Sequence, residues 1–284
     1  MDIQWYPGHM TKAKRQMQED IKLVDLVIEL LDARAPLASR NPDIDSLAAN
    51  KARLIILNKA DLADESGNRE WKDYFEARSS GVILADSRKA STLKKIQSLA
   101  QEVCREKLER DARRGIKNRP IRAMVAGIPN VGKSTFINSY AGKAVAKTGN
   151  RPGVTKGRQW IRMGKNLELL DTPGILWPKF EDQRVGRILS WIGTINDNIL
   201  NIQDLSADLI DYLKQEYPGV LSARYQIEED VTAPAILFEV GKKRGCVTKG
   251  GERSFEKAAA LVIDDFRSGK LGRITLEKAD QQDQ

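Results

Sequence analysis

Residues 127–135, "GIPNVGKST", place two glycines, a lysine and a hydroxyl at the spacing G-x-x-x-x-G-K-S, which can wrap phosphate groups. Glycines let successive backbone N–H groups turn inward around an anion, and a helix starting there adds the positive end of its dipole. Asn130, Val131, Gly132, Lys133, Ser134 and Thr135 are therefore expected to line a phosphate cradle. Lys133 would bridge the β- and γ-phosphates and Ser134 would ligate Mg2+. So short a pattern also occurs by chance. Its setting between an apolar run, "IRAMVA", and a helix-compatible run, "KSTFINSYAG", is the context the chemistry requires.

Two further groups carry complementary chemistry. Asp171-Thr-Pro-Gly174 is placed to hold Mg2+ through water by Asp171 and to offer the Gly174 N–H to a γ-phosphate. A plain β-turn is the alternative reading of a Pro-Gly pair. Between the two motifs, "NRPGVTKG" supplies Thr155 as a second Mg2+ ligand. Upstream, Asn58-Lys59-Ala60-Asp61 ends an apolar run, and the Asp61 carboxylate can accept both the ring N–H and the exocyclic amine of guanine. Adenine offers no such pair of donors. Asp86 and Ser87, in "ADSRKAS", are assigned to the far side of the base. The base reader thus precedes the phosphate cradle along the chain.

These residues need strand ends to stand on. "LVDLVIELLDA", "ARLIILNKA" and "GVILADS" read as buried parallel strands, with "REWKDYFEARS" as an intervening helix. A charged amphipathic helix is expected from Ser91 to Arg114, broken by Gly115 and Pro120. "RQWIRMG" and "LELLDTPG" read as an antiparallel pair. The whole is an α/β, doubly wound, mostly parallel pattern over residues 1–178. Residues 179–284 show helical spacing without strand alternation, in "QRVGRILSWIGTI", "SADLIDYLKQEY" and "SFEKAAALVIDDFRSG", and are expected to form a small all-helical domain. "KADQQDQ" reads as a frayed tail.

Composition narrows the classes. At 41% hydrophobic and 30% charged, the 284 residues suit a soluble globular protein, and "LVDLVIELL", the most apolar stretch, is short and carries Asp25 and Glu29. No membrane partner is expected. Without a signal-like opening, and with Cys104 and Cys246 at no metal or disulfide spacing, a reducing cytoplasm is the expected compartment. The net charge of +8 is unevenly spread: residues 143–165 hold seven basic and no acidic residues, and "GKKRGCVTKGGER" forms a second cluster. Such patches suggest a polyanion partner, against the alternative of ordinary solvated surface.

Taken together, "WYPGHM", "LDARAPLASRNP", "NKADL", "GIPNVGKST", "RPGVTKG", "DTPGILWPKF", "KKRGCVTKGG" and "GKLGRITLE" resemble the blocks of the circularly permuted P-loop GTPases, specifically the ribosome biogenesis GTPase A (YlqF) family. The resemblance covers essentially the whole chain. It implies a GTP hydrolase that binds the maturing large (50S) ribosomal subunit and its rRNA and leaves after conversion to GDP. Nothing in the sequence gives evidence for an obligate oligomer. Permutation leaves each motif at its own strand end, joins the ancestral termini through "RDARRGIKNRP", and opens new ones just after the γ-phosphate sensor. Loss of that phosphate would then reposition a whole domain.

A glutamine after the sensor glycine orients the attacking water in many GTPases, but here that position is Ile175. His9, the sole histidine, is expected either to position water or merely to anchor an N-terminal turn. Pro129 crowds the approach of an external arginine, and Asn130 matches the residue that ligates K+ in potassium-activated GTPases with GxPNxGKS loops. The competing readings are a GTP-sensing scaffold that no longer hydrolyses, and a partner GTPase of RNA modification. The absence of a second catalytic constellation argues against the latter.

Overall fold

The structure is a computed structural model that describes residues 10–78, 81–89, 92–116, 119–141, 159–171, 182–248, 250 and 254–282. Consecutive rather than alternating apolar residues build its central strands. Every residue of β1 (Leu26–Asp32) is buried, and so are the last five of β2 (Ala52–Asn58). A strand covered on both faces has no polar side to show in its sequence. With β3 (Val82–Leu84), β4 (Ile121–Ala126), β5 (Gln159–Met163) and β6 (Leu167–Asp171), they form a six-stranded sheet ordered β3-β2-β1-β4-β6-β5. All neighbours pair parallel except β5 and β6, which form the expected antiparallel pair.

Helices cover both faces. On one, Trp71 and Phe75 of α3 (Glu65–Glu76) cluster with Leu31, Ile55, Leu57 and Val82. On the other, α4 (Leu93–Val103) packs against β2. Two further pieces, α1 (Met10–Lys22) and α2 (Ile44–Leu47), lead into and follow β1. After β4 the chain enters α6 (Lys133–Ala141), anchored by buried Phe136 and Ile137.

The helix expected from Ser91 to Arg114 is two helices. The backbone leaves helical geometry at Cys104 (φ −98°, ψ 6°), and α5 (Arg105–Arg113) follows. The two halves differ in burial: α4 buries Ile96 and Ala100, whereas α5 buries none of its residues. The bend brings Lys107 within 3.2 Å of Asp25, which also pairs with Arg119 at 3.2 Å.

Residues 182–274 form a separate, helical unit. It comprises α7 (Gln183–Trp191), α8 (Ile202–Glu216), α9 (Val220–Tyr225), α10 (Ala233–Arg244) and α11 (Phe255–Arg267). The sequence reading did not single out α9 and α10. Asn201 caps α8, its side chain accepting from the N–H groups of Gln203 and Asp204. Within this unit the buried Asp265 is ringed by Arg224 at 2.8 Å, Lys270 at 3.2 Å and the Tyr225 hydroxyl at 3.2 Å.

The chain end corrects two expectations. Residues 275–282 belong with the sheet unit, not with the helices, and Ala279, within the stretch read as a frayed tail, is buried. Glu277 accepts from the N–H groups of Leu37 (2.9 Å) and Ala38 (3.0 Å), while Leu276 donates to the Arg34 carbonyl at 2.7 Å. Thr275 Oγ accepts from Asp64 N–H at 3.0 Å, and Trp71 Nε1 donates to the Glu277 carbonyl at 2.9 Å. Ala279, opening a 3₁₀ turn over Ala279–Gln282, joins the core around Trp71. A buried carboxylate holding two backbone N–H groups makes charge-assisted bonds. Glu277→Gln should therefore lower stability by about 1–2 kcal/mol, read as a shift in urea midpoint; an unchanged midpoint would show the strap to be passive.

Candidate functional site

In an open α/β sheet, ligands settle where strand order reverses, outside the carboxyl ends of the strands. Here β1 leads outward to β2 and β3, whereas β4 leads the other way to β6 and β5, so the reversal falls between β1 and β4. Both candidate motifs sit beside it. Asn58 ends β2 directly opposite Asp32 of β1, and the phosphate loop leaves β4 at Ala126.

The phosphate loop passes so close to β1 that a Cβ on Gly127 would lie 2.7 Å from the Leu30 carbonyl oxygen. Gly132 has φ +97°, and a Cβ there would lie 2.5 Å from the Asn58 amide nitrogen. Glycine is required at both positions for steric reasons. Asn130 takes φ +63°, so the loop turns through a left-handed residue before its helix. Lys133, the first residue of α6, is buried and lays its ammonium across the loop toward the Ile128 carbonyl at 3.4 Å. Phe136 N–H donates to the Gly132 carbonyl at 2.8 Å, so α6 starts directly on the last glycine of the loop.

The base reader is fastened to this loop by its own first two residues. Buried Asn58 donates through Nδ2 to the Val131 carbonyl at 2.7 Å. Its Oδ1 accepts from Ser87 N–H at 3.0 Å and Ser87 Oγ at 2.6 Å. Lys59, in a left-handed conformation (φ 58°), donates to the Asn130 carbonyl at 2.8 Å and to Asp32 Oδ2 at 2.9 Å. Asn58, Lys59, Ser87, Asn130 and Val131 are thereby one hydrogen-bonded body. Ala60 is joined to it through its N–H, which donates to the Ala85 carbonyl at 3.1 Å.

Asp32 is a member of this body that the sequence reading did not assign. It is fully buried and held bidentately by Arg34, at 2.9 Å from Nε to Oδ1 and 2.8 Å from Nη2 to Oδ2. Burial alone would raise its carboxyl pKa, but the charges of Arg34 and Lys59 and their hydrogen bonds outweigh it and hold the group far below the usual carboxylate range. A signal was available: Asp32 is an acid closing a mostly apolar strand directly after Leu30 and Leu31, followed two residues later by arginine.

Asp61 and Asp86 come together through Arg88, also unassigned from sequence. Arg88 pairs with Asp61 and takes Asp86 Oδ1 with both its backbone N–H (3.0 Å) and its Nε (2.9 Å). The Arg88 hydrogen bond, against slight burial, lowers the pKa of Asp86. Asp61, the carboxylate expected to meet guanine, therefore stands in a small charged cluster with Arg88 and Asp86.

For Mg2+, the residues present fit a hard cation that takes oxygen ligands and keeps phosphate and water in its shell. Ser134 sits in the first turn of α6, and Asp171 closes β6 one position beyond the Leu170–Met124 pair, near the strand end that feeds the loop. Among the described residues no group of three His, Cys, Asp or Glu side chains forms an all-protein metal site. Thr135 is exposed on the same first turn. His9, Thr155 and Gly174 lie outside the described residues, as does Ile175. No helix among the described residues is long and apolar enough to cross a membrane.

Comparison with known proteins gives a consistent picture. A family model described as "50S ribosome-binding GTPase" matches residues 122–236. The chain is 48% identical over 279 residues to the ribosome biogenesis GTPase A of Bacillus licheniformis, covering 98% of this chain and 99% of that protein. It is 32% identical to the one from Thermotoga maritima, over 97% and 94% of the two chains. It is also 32% identical to the mouse mitochondrial ribosome-associated GTPase 1, over 96% and 90%. Structures of T. maritima YlqF in GNP-bound and GDP-bound forms match with TM-scores of 0.67 and 0.68, at 27% and 26% identity. They cover 95% and 94% of this chain and 99% and 100% of theirs.

Proposed function

Because the chain belongs to the ribosome biogenesis GTPase A family, and so is a GTP hydrolase acting in ribosome biogenesis, we propose that it binds the maturing 50S subunit with GTP and leaves after hydrolysis to GDP. The observation that carries the nucleotide half of this reading is the Lys59 ammonium, which donates to Asp32 and to the Asn130 carbonyl. Through it, the guanine reader cannot move without the phosphate loop.

In this reading Asp61 takes the base, flanked by Asp86 and Ser87, and the backbone from Asn130 to Thr135 cradles the phosphates with Lys133. The Gly174 N–H meets the γ-phosphate. The family implies Mg2+, which when bound would neutralise phosphate charge. Ser134 and Thr155 would hold it directly and Asp171 through water. His9 positions the attacking water, since Ile175 has no hydrogen-bonding side chain. K+ held at Asn130 would supply the charge an external arginine otherwise brings. The basic patches grip rRNA phosphates, in the cytoplasm. Because the permuted order opens the domain beside the γ-phosphate sensor, loss of that phosphate repositions the helical unit.

Single-turnover GTP cleavage tests this reading directly. Large subunits in KCl should speed cleavage, NaCl should lower the stimulated rate, and His9→Ala should lose about 10²-fold or more of it while binding GTP normally. Co-sedimentation with 50S particles should require a non-hydrolysable GTP analogue rather than GDP. Equal sedimentation in both nucleotides would defeat the release step. Equal rates in the two salts would remove K+, and an unimpaired His9→Ala protein would remove the histidine.

A further inference from the structure

On the helical unit, two phenyl rings are left at the surface in contact with each other. Phe238, on α10, is 39% exposed and Phe255, the first residue of α11, is 42% exposed. Their ring centroids are 6.3 Å apart with planes tilted by 37°. The buried side of α10 is made by Ala233, Ile236, Leu237, Val240 and Gly241. Single exposed apolar residues are ordinary. Two touching aromatic rings are less so, and Val247, 41% exposed, lies close by, with its carbonyl taking Lys257 Nζ at 2.6 Å.

The arrangement is fixed by the backbone. Gly245 turns the end of α10 with φ +64°, and Cys246 donates to the Gly241 carbonyl at 2.9 Å. Ser254 N–H then donates to the Cys246 carbonyl at 2.8 Å, closing the loop that brings Phe255 back beside Phe238. Ser254 also caps α11 by accepting from Lys257 N–H at 3.2 Å. The rings are thus presented from the middle of α10 and from the first residue of α11.

Charge decides what such a surface fits. Residues 238–257 hold six basic and three acidic residues, and Lys242, Lys243 and Lys257 are exposed on the two helices that carry the rings. Lys242 pairs loosely with Glu239 at 3.7 Å, and the Lys257 ammonium, with one bond to a carbonyl, has two further N–H groups to offer. Aromatic faces set among lysines suit a strand that offers flat bases and phosphates together. A duplex keeps its bases stacked inside, so the suitable ligand is unpaired RNA.

We propose that Phe238 and Phe255 form a stacking platform for an unpaired RNA base, with Lys242, Lys243 and Lys257 holding the flanking phosphates. The proposal rests on the ribosomal reading above and names the kind of rRNA element that the helical unit engages: a loop, bulge or single-stranded end.

Fluorescence anisotropy of the full chain with an unstructured RNA of about 12 nucleotides, beside a duplex of equal length, tests it. Phe238→Leu and Phe255→Leu should each weaken single-strand binding about tenfold, with duplex binding and GTP affinity unchanged, since leucine keeps apolar bulk but has no π face. Phe238→Tyr and Phe255→Tyr should retain affinity. The Lys242→Gln/Lys243→Gln pair should flatten the salt dependence by about 0.7 for each phosphate that is no longer neutralised. Leucine variants that bind single strands like the parent, or that weaken duplex binding equally, would overturn the platform. So would rings that matter only for anionic vesicles. If the parent protein co-sediments with 50S particles while the leucine variants keep full RNA affinity, this inference alone fails. If the parent does not co-sediment with any nucleotide, the ribosomal reading fails instead.

Discussion

Asp61→Asn is expected to weaken GTP binding by about 10⁴-fold, the penalty when a site built to pair a ligand's donors is left mismatched. In the proposed reading the carboxylate accepts from two guanine donors, whereas an amide would turn its own NH₂ toward one of them. Xanthine carries a carbonyl where guanine has its amine, so XTP should regain most of the lost affinity. The fold should survive, because Asp61 is a partly exposed side chain whose ion pair is with Arg88, and Arg88 keeps Asp86. Titrations with GTP and XTP check this; equal GTP affinity in variant and parent would place the base elsewhere.

Asp32→Asn should act on stability and binding together. Removing one member of a buried, hydrogen-bonded charge set strands the others, here Arg34 and Lys59, at a cost of about 3–5 kcal/mol. Urea unfolding would report that loss. GTP affinity should also fall at least about tenfold, because Lys59 loses one of the two bonds that position the base reader. Because the Asp32 pKa is depressed in the folded chain, its contribution is present above the ordinary carboxylate range and fades only as strong acid protonates it. At neutral pH, a variant within about 1 kcal/mol of the parent would show that Asp32 does not organise the site.

Much of this protein could be read locally. The strands of the sheet unit were visible because buried parallel strands are continuous apolar runs of characteristic length. The phosphate loop was visible because its ligands are consecutive backbone groups, which tie its chemistry to spacing. Asn58, Asp61 and Ser134 follow from the same logic. Less of the helical unit was legible. In α10, "APAILFEVGKKR" has a buried face but also an exposed phenylalanine among its apolar residues, which blurs the helical period. The bend at Cys104 escaped notice because helix propensity runs unbroken across it, and only the lack of burial in α5 distinguishes the two halves.

What the amino-acid order determined alone was the chemistry each segment can do: phosphate by Gly127–Ser134, guanine by Asn58–Asp61, and their inverted succession along the chain. Only the tertiary structure decided how these parts act as one. Lys59 reaches Asn130 across 71 positions, Asn58 reaches Val131 across 73, and Glu277 returns across 240 to cap Leu37. The pairing of Phe238 with Phe255 likewise depends on α10 and α11 packing together. Hydrogen-bond partners and ring contacts at such separations leave no period or spacing in a sequence. They are set by which strand ends the sheet brings side by side, and by the cost of burying any polar group that finds no partner there.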